Sequence, residues 1–163
     1  MLRVFLAILT ISLLSACARQ PPTSVAPAST YEDSRLCFAV EVPAGWTTDG
    51  VSGGFASFAP ATGELSFNIT NVALETPTLP QALAEVQRGP LGPHIQEVKD
   101  FTVDGRPALW IAFTPGAEFQ FVVLVIAPDC GDGPHALFIS AIRAEEGSFN
   151  TFLNHIRFIQ GGK

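Results

Sequence analysis

The sequence predicts an α+β domain in which two helices cover a central antiparallel sheet. Seven segments are either alternately apolar and polar or apolar throughout, over the length of a strand, and a period of two is typical of half-buried strands. Two other segments repeat apolar residues at helical spacing. The order is three strands, a helix, four strands and a helix, and the short turns between consecutive strands favour antiparallel pairing.

The first three strands are predicted at residues 38–42, 55–58 and 64–72. Apolar residues alternate in the first and third of them, so each of these strands is expected to bury one face. The Pro-Ala-Thr-Gly turn at 60–63 joins the second strand to the third and predicts a hairpin.

The two helices are predicted at residues 79–88 and 146–157. Thr78 is suited to cap the first helix, and apolar residues at i, i+4 and i+7 from Leu79 give it one apolar face. In the second helix, apolar residues stand at i, i+3, i+4 and i+7 from Phe149. Both apolar faces are expected to pack on the sheet.

Four more strands are predicted between the helices, at 95–103, 109–113, 119–127 and 136–142. Asp104-Gly105 is a hairpin signal, because glycine adopts a positive φ at little cost. The segment 119–127 is almost continuously apolar, which predicts a central strand that is covered on both faces.

The beginning of the chain has the pattern of an export signal. A positive start at Arg3 is followed by an apolar run over 4–14, within the length of about 7–15 residues that secretory signals use. The alternative is a membrane-spanning helix, but a span needs about 20 apolar residues, and this run ends before Arg19.

Leu14-Ser15-Ala16-Cys17 resembles the lipobox of bacterial lipoproteins at all four positions. The resemblance implies a diacylglyceryl group on the Cys17 thiol, removal of the signal peptide 1–16, and frequent acylation, for example with palmitate, of the new amine. Two or more acyl chains anchor a protein stably. The mature chain is therefore expected to lie outside the cytoplasm, anchored by lipid to a membrane of the bacterial cell envelope. The alternative is an ordinary cleavage site with an incidental cysteine.

Composition divides the mature chain into two parts. Residues 17–30 are rich in Pro, Ser, Thr and Ala and are interpreted as the lipidated cysteine with a flexible tether. Residues 31–163 are expected to form a single domain. The net charge is −6, and removal of 1–16 with Arg3 gives −6 − 1 = −7. Nucleic acid is therefore not an expected partner.

Three short motifs together resemble the PsbP/Mog1-like superfamily, and in particular its small bacterial lipoproteins, over about residues 36–159. They are Val-Pro-Ala-Gly-Trp at 42–46, Asp-Gly-Arg-Pro at 104–107, and the Phe-Ile pair at 158–159. The resemblance implies an α/β/α sandwich around a central antiparallel sheet. It also implies a binding or assembly module without catalytic residues or a cofactor, whose partner would be an envelope protein or a small ligand.

Two other patterns suggest chemistry, and each has a simpler interpretation. Gly-x-Ser-x-Gly around Ser52 matches the nucleophile elbow of hydrolases, but that motif requires a turn from a strand into a helix, and here a strand is predicted to follow. An envelope hydrolase that uses Ser52 is therefore the alternative function. Asp129, Asp132 and His135 suggest a metal site, but ligand pairs at the usual spacing are missing, and a Gly-Pro turn explains the loop.

Three residues of the mature domain are singled out. Trp46 follows a Pro-Ala-Gly turn and is expected either to pack in the core or to line a ligand cleft at the end of the sheet. With Cys17 lipidated, Cys37 and Cys130 remain as one pair. Because disulfides persist outside the cytoplasm, we expect a Cys37–Cys130 disulfide rather than two free buried thiols.

Overall fold

A computed structural model describes part of the chain, with ten strands and two α-helices. The residues described are 28–50, 54–61, 65–72, 74, 77–116, 119–131 and 133–159. The strands are β1 (Ser29–Asp33), β2 (Phe38–Val42), β3 (Trp46–Gly50), β4 (Phe55–Pro60), β5 (Ser66–Val72), β6 (Ile95–Val103), β7 (Arg106–Phe113), β8 (Phe121–Ile126), β9 (Ala136–Ile142) and β10 (Ile156–Phe158). The helices are α1 (Leu79–Arg88) and α2 (Glu146–Leu153), with a short 3-10 turn at Gly92–His94.

Seven strands form one antiparallel sheet in the order β3-β4-β5-β9-β8-β7-β6. All six neighbouring pairs are antiparallel, as the short turns predicted. Near the middle, β8 is apolar on both sides, with Val123 and Val125 in one core cluster and Val122 and Leu124 in the other. The prediction of a central strand covered on both faces is therefore confirmed.

Helix α1 covers one face of this sheet. Thr78 caps it, since the Thr78 hydroxyl accepts a hydrogen bond from the backbone N–H of Gln81 at 3.4 Å, as predicted. Ala82 and Val86 are buried against the sheet. The apolar stripe of the sequence is thus the packing face of the helix.

The opposite face is covered by α2 together with a second, three-stranded sheet, β1-β2-β10. The side chains of Phe149, Phe152 and Leu153 join those of β2 in the larger core cluster. The protein is therefore mostly β, with two helices and antiparallel sheets. One outer layer is not purely helical, which differs from the sandwich that the resemblance implied.

Three strands were not predicted from the sequence. β1 begins at Ser29, two residues before the predicted start of the domain, and β3 lies between the first and second predicted strands. β10 takes the last residues of the predicted second helix, because α2 ends at Leu153. Ile156 is buried, but it belongs to β10 and not to a further turn of α2.

Cys37 and Cys130 form a disulfide, as predicted, with Cα atoms 5.8 Å apart, within the usual range of disulfides. It ties the turn between β1 and β2 to the loop after β8, so it links the small sheet to the large one. Among the described residues, no helix is long and apolar enough to cross a membrane.

Candidate ligand groove

A stack of three aromatic rings stands where β3 begins. The Trp46 indole is nearly parallel to the Phe67 ring at 5.5 Å and to the Phe152 ring at 6.4 Å, and these two phenyl rings are 4.4 Å apart. β3, β5 and α2 each contribute one ring. The separations are close to those preferred by stacked aromatic pairs, so neighbours on two other elements hold the indole in place.

The turn before Trp46 sets the position of its ring. Gly45 has φ of 81°, a left-handed conformation that favours glycine. The backbone N–H of Trp46 donates to the Pro43 carbonyl at 3.2 Å, which closes the turn. The Val-Pro-Ala-Gly-Trp motif therefore specifies a sharp reversal that presents the indole at the end of the sheet.

Beside the ring stack lies an apolar slot of about 190 Å³. Its floor is aromatic, and its rim carries the hydroxyls of Ser148 and Thr151 on α2. The Thr151 hydroxyl donates to the Gly147 carbonyl at 2.9 Å. The lining residues are Pro43, Trp46, Leu65, Phe67, Ser148, Thr151, Phe152 and His155.

A shallower depression of about 330 Å³ continues from the slot across the end of the small sheet. Pro43 and His155 belong to both linings, so the slot and the depression adjoin, and the two together are called the groove below. The residues of the depression are Ala28, Ser29, Thr30, Glu41, Val42, Pro43 and His155.

Of the residues that the structure describes, Glu41 and His155 are the ionisable ones in the lining of the groove. Their backbones are joined, because the Glu41 N–H donates to the His155 carbonyl at 3.0 Å. Their side chains approach to 3.8 Å between Glu41 Oε2 and His155 Nδ1, and the side chain of Glu41 is 61% exposed. Sequence reasoning missed this pair, although Glu41 was visible as an outward-facing residue of a predicted strand.

Trp46 lies between the core and the slot, and its role in a ligand cleft remains a prediction. It is partly buried against the core, and it also lines the slot. Cys17 and Ser52 lie outside the described residues, so the lipid site and the nucleophile elbow remain predictions.

The loop after β8 has the geometry of a turn. Asp129 Oδ1 accepts hydrogen bonds from the backbone N–H groups of Gly131 at 2.7 Å and Gly133 at 2.9 Å. These bonds hold the pKa of the Asp129 carboxyl below its usual value. Within the part of the chain that the structure describes, Nε2 of His135 is buried without a hydrogen-bond partner; Asp132 is outside the described residues.

His94 lies elsewhere on the domain, where its Nδ1 is 3.4 Å from the Thr114 hydroxyl. Across the described ranges, no three His, Cys, Asp or Glu side chains are grouped so that they could hold a metal ion.

No family model and no curated protein sequence matches this chain. Among solved structures, it is similar to cyanobacterial PsbP (CyanoP) from Synechocystis sp. PCC 6803, with a TM-score of 0.51 at 13% identity, over 87% of this chain and 98% of that chain. The fold is PsbP-like. A structure from Bacteroides thetaiotaomicron VPI-5482 is also similar, with a TM-score of 0.53 at 13% identity, over 83% of this chain and 50% of that chain. At this identity the likeness concerns the fold alone.

Two of the motifs that resemble PsbP-like proteins meet in the structure. Asp104 Oδ2 accepts a hydrogen bond from the Phe158 N–H at 2.8 Å, and the Arg106 guanidinium lies 5.5 Å from the centre of the Phe158 ring. Arg106 Nε also donates to the Ile126 carbonyl at 2.9 Å. In this PsbP-like fold, the Asp-Gly-Arg-Pro motif therefore joins β10 to the large sheet, whereas Val-Pro-Ala-Gly-Trp builds the groove.

Proposed function

We propose that this protein is a non-catalytic binding or assembly module of the bacterial cell envelope, tethered outside the cytoplasm by lipid on Cys17, and that the groove is its ligand site. The observation that carries the proposal is the slot beside Trp46. A preformed concave site with an aromatic floor and a few polar groups at its rim is typical of binding sites.

Two features support the extracytoplasmic location. The lipobox at 14–17 follows directly on an apolar run of signal-peptide length. The Cys37–Cys130 disulfide suits an oxidising compartment, since structural disulfides are rare in the cytosol.

The tether would place the groove close to the membrane. Ala28, the first described residue, lies in the lining of the groove. Eleven residues separate it from Cys17 (28 − 17 = 11), and a chain of that length spans at most about 40 Å when it is fully extended. An envelope protein or a small ligand in the same membrane or at its near surface is therefore the partner that this arrangement favours.

Photo-cross-linking of the full-length protein in its own membrane tests the proposal. A photoreactive phenylalanine analogue replaces Ser148, which is exposed at the rim of the slot. As a matched control, the same analogue replaces Phe55 on β4, which is 39% exposed. Its neighbour Ala56 and Phe58 belong to the larger core cluster, so Phe55 lies on the other face of the strand.

We expect a discrete adduct from position 148 that is absent from position 55 and is reduced by Trp46→Ala. Equal adducts from both positions, or an adduct at 148 that is unaffected by Trp46→Ala, would contradict a ligand site in the groove. The absence of any adduct at 148 would contradict it as well.

A further inference from the structure

The chemistry of the groove also limits its ligand. Resting on the function proposed above, we infer that the groove binds an organic cation that carries a flat apolar group, with the apolar group in the slot and the cationic group beside Glu41. The inference follows from the size and lining of the slot and from the charge at the open end of the groove.

The slot suits one compact apolar group. Its volume of about 190 Å³ corresponds to roughly six waters at about 30 Å³ each. Phe67 and Phe152 are 1% and 2% exposed, so the partly buried indole of Trp46 is the flat aromatic surface that this stack offers to the slot. A ring that contacts the indole would remove water from apolar surface and make a favourable aromatic pair.

The open end of the groove is acidic. Among the described residues, Glu41 is the acid in its lining, and the lining contains neither Lys nor Arg. The contact of 3.8 Å between Glu41 Oε2 and His155 Nδ1 is longer than a hydrogen bond. The carboxylate therefore keeps acceptor capacity for a donor from the ligand. A ligand carboxylate or phosphate at the same place would be repelled.

The neighbouring guanidinium of Arg157 keeps its charge, but Arg157 is not one of the lining residues. Arg157, on β10, directs its guanidinium to backbone, with Nη1 at 2.6 Å from the Asn154 carbonyl and 2.8 Å from the Ile156 carbonyl. The chain as a whole has a net charge of −6, so the long-range field also favours a cation.

A pair of probes of equal shape and opposite charge tests the inference. Tryptamine, indole-3-propionate and neutral indole are titrated separately into the mature, lipidated protein in detergent micelles. Binding is followed by the NMR shifts of the backbone amides of Trp46, Thr151 and His155. The variants are Trp46→Ala, Glu41→Gln and, as a matched control, Glu32→Gln. Glu32 is an exposed acid of β1 that is not in the lining.

Tryptamine is expected to bind between about two-fold and thirty-fold more tightly than indole-3-propionate, because exposed charge pairs contribute about 0.2–1 kcal/mol each, whether attractive or repulsive. Glu41→Gln should bring the two affinities closer together and leave that of indole unchanged, whereas Glu32→Gln should largely preserve the preference. Trp46→Ala should weaken all three probes.

Equal or tighter binding of indole-3-propionate would overturn the inference, as would a preference that Glu32→Gln removes as fully as Glu41→Gln does. Shifts confined to residues outside the groove, or no shifts with any probe, would overturn it too. In each case an adduct at position 148 in the membrane would still support the proposed function. If position 148 gave no adduct but the protein still bound tryptamine more tightly than indole-3-propionate, the proposed function would be refuted. The inferred preference of the groove for a cation would then still stand.

Discussion

The Cys37–Cys130 disulfide should contribute several kcal/mol to the stability of the domain. The two cysteines are separated by 93 residues. In the chain-entropy model, closing a loop of that length removes about 15.6 cal/mol/K from the unfolded chain, or about 4.6 kcal/mol at 25 °C. This is a large part of the 5–15 kcal/mol that is roughly typical of whole domains.

Three samples separate the contribution of the disulfide bond to stability from that of the cysteine side chains. They are the oxidised protein, the same protein reduced with dithiothreitol, and the double variant Cys37→Ala, Cys130→Ala. Alanine keeps the Cβ atom, so the left-handed backbone at Cys37, with φ of 58°, is equally unfavourable in all three. The difference between the reduced protein and the double variant measures the packing of the sulfurs.

Urea unfolding provides the measurement. With an m-value of about 2 kcal/mol/M, a loss of about 4.6 kcal/mol lowers the midpoint by about 2.3 M. The oxidised protein should also show no reactive thiol at residues 37 and 130 when it is unfolded. A reduced protein whose midpoint lies within about 0.5 M of the oxidised one would refute the entropic reasoning, and two reactive thiols would refute the bond itself.

Three further outcomes are expected. Cys17→Ser should block lipid attachment, so uncut precursor accumulates on a denaturing gel; normal processing and release would contradict the lipobox interpretation. Gly92→Ala should destabilise the domain, because a Cβ there would lie 2.0 Å from the Gln87 carbonyl oxygen. At Gly147 an added Cβ meets nothing within 4 Å, so Gly147→Ala should stabilise α2 by about 0.5–1 kcal/mol. Urea midpoints that shift in the same direction in both variants would refute this contrast. Asp129→Asn should lower the free energy of unfolding near pH 7, and the difference from the unmodified protein should shrink as the pH falls below 3.8. The reason is that a carboxyl group with a depressed pKa contributes stability that is lost when it is protonated. A difference in urea midpoint that does not change with pH would contradict this expectation.

Periodicity predicted the elements whose burial repeats regularly. All seven segments with strand-like patterns are strands, and Thr78 caps α1 as its sequence suggested. Most of these elements bury one or both faces, so their pattern of apolar residues reflects the fold; the edge strand β6 is largely exposed and buries Val103.

The three strands that were not predicted lack this regular pattern of apolar residues. β3 reads Trp-Thr-Thr-Asp-Gly and forms the edge of the large sheet, where one large apolar residue anchors an otherwise polar strand. β1 is similarly polar and lies at the edge of the small sheet. β10 has three residues. Because Ile156 fits the helical spacing of the apolar residues in α2, the pattern predicted a longer helix instead of a strand.

The groove was only partly predictable for a related reason. Trp46 stood out because a large ring follows a turn, and that cue is local. Its contacts with Phe67 and Phe152 and the approach of His155 to Glu41 join elements that are distant in sequence. Such contacts depend on the strand order and on the second sheet, neither of which periodicity specifies.

Mass spectrometry of the mature amino terminus, on protein purified from its own membranes, tests most directly where the groove acts. A chain that begins at Cys17 and carries a diacylglyceryl group on its thiol is the predicted result. A terminal peptide that begins at Met1, or one with an unmodified Cys17, would contradict the lipid tether, and with it the placement of the groove beside a membrane.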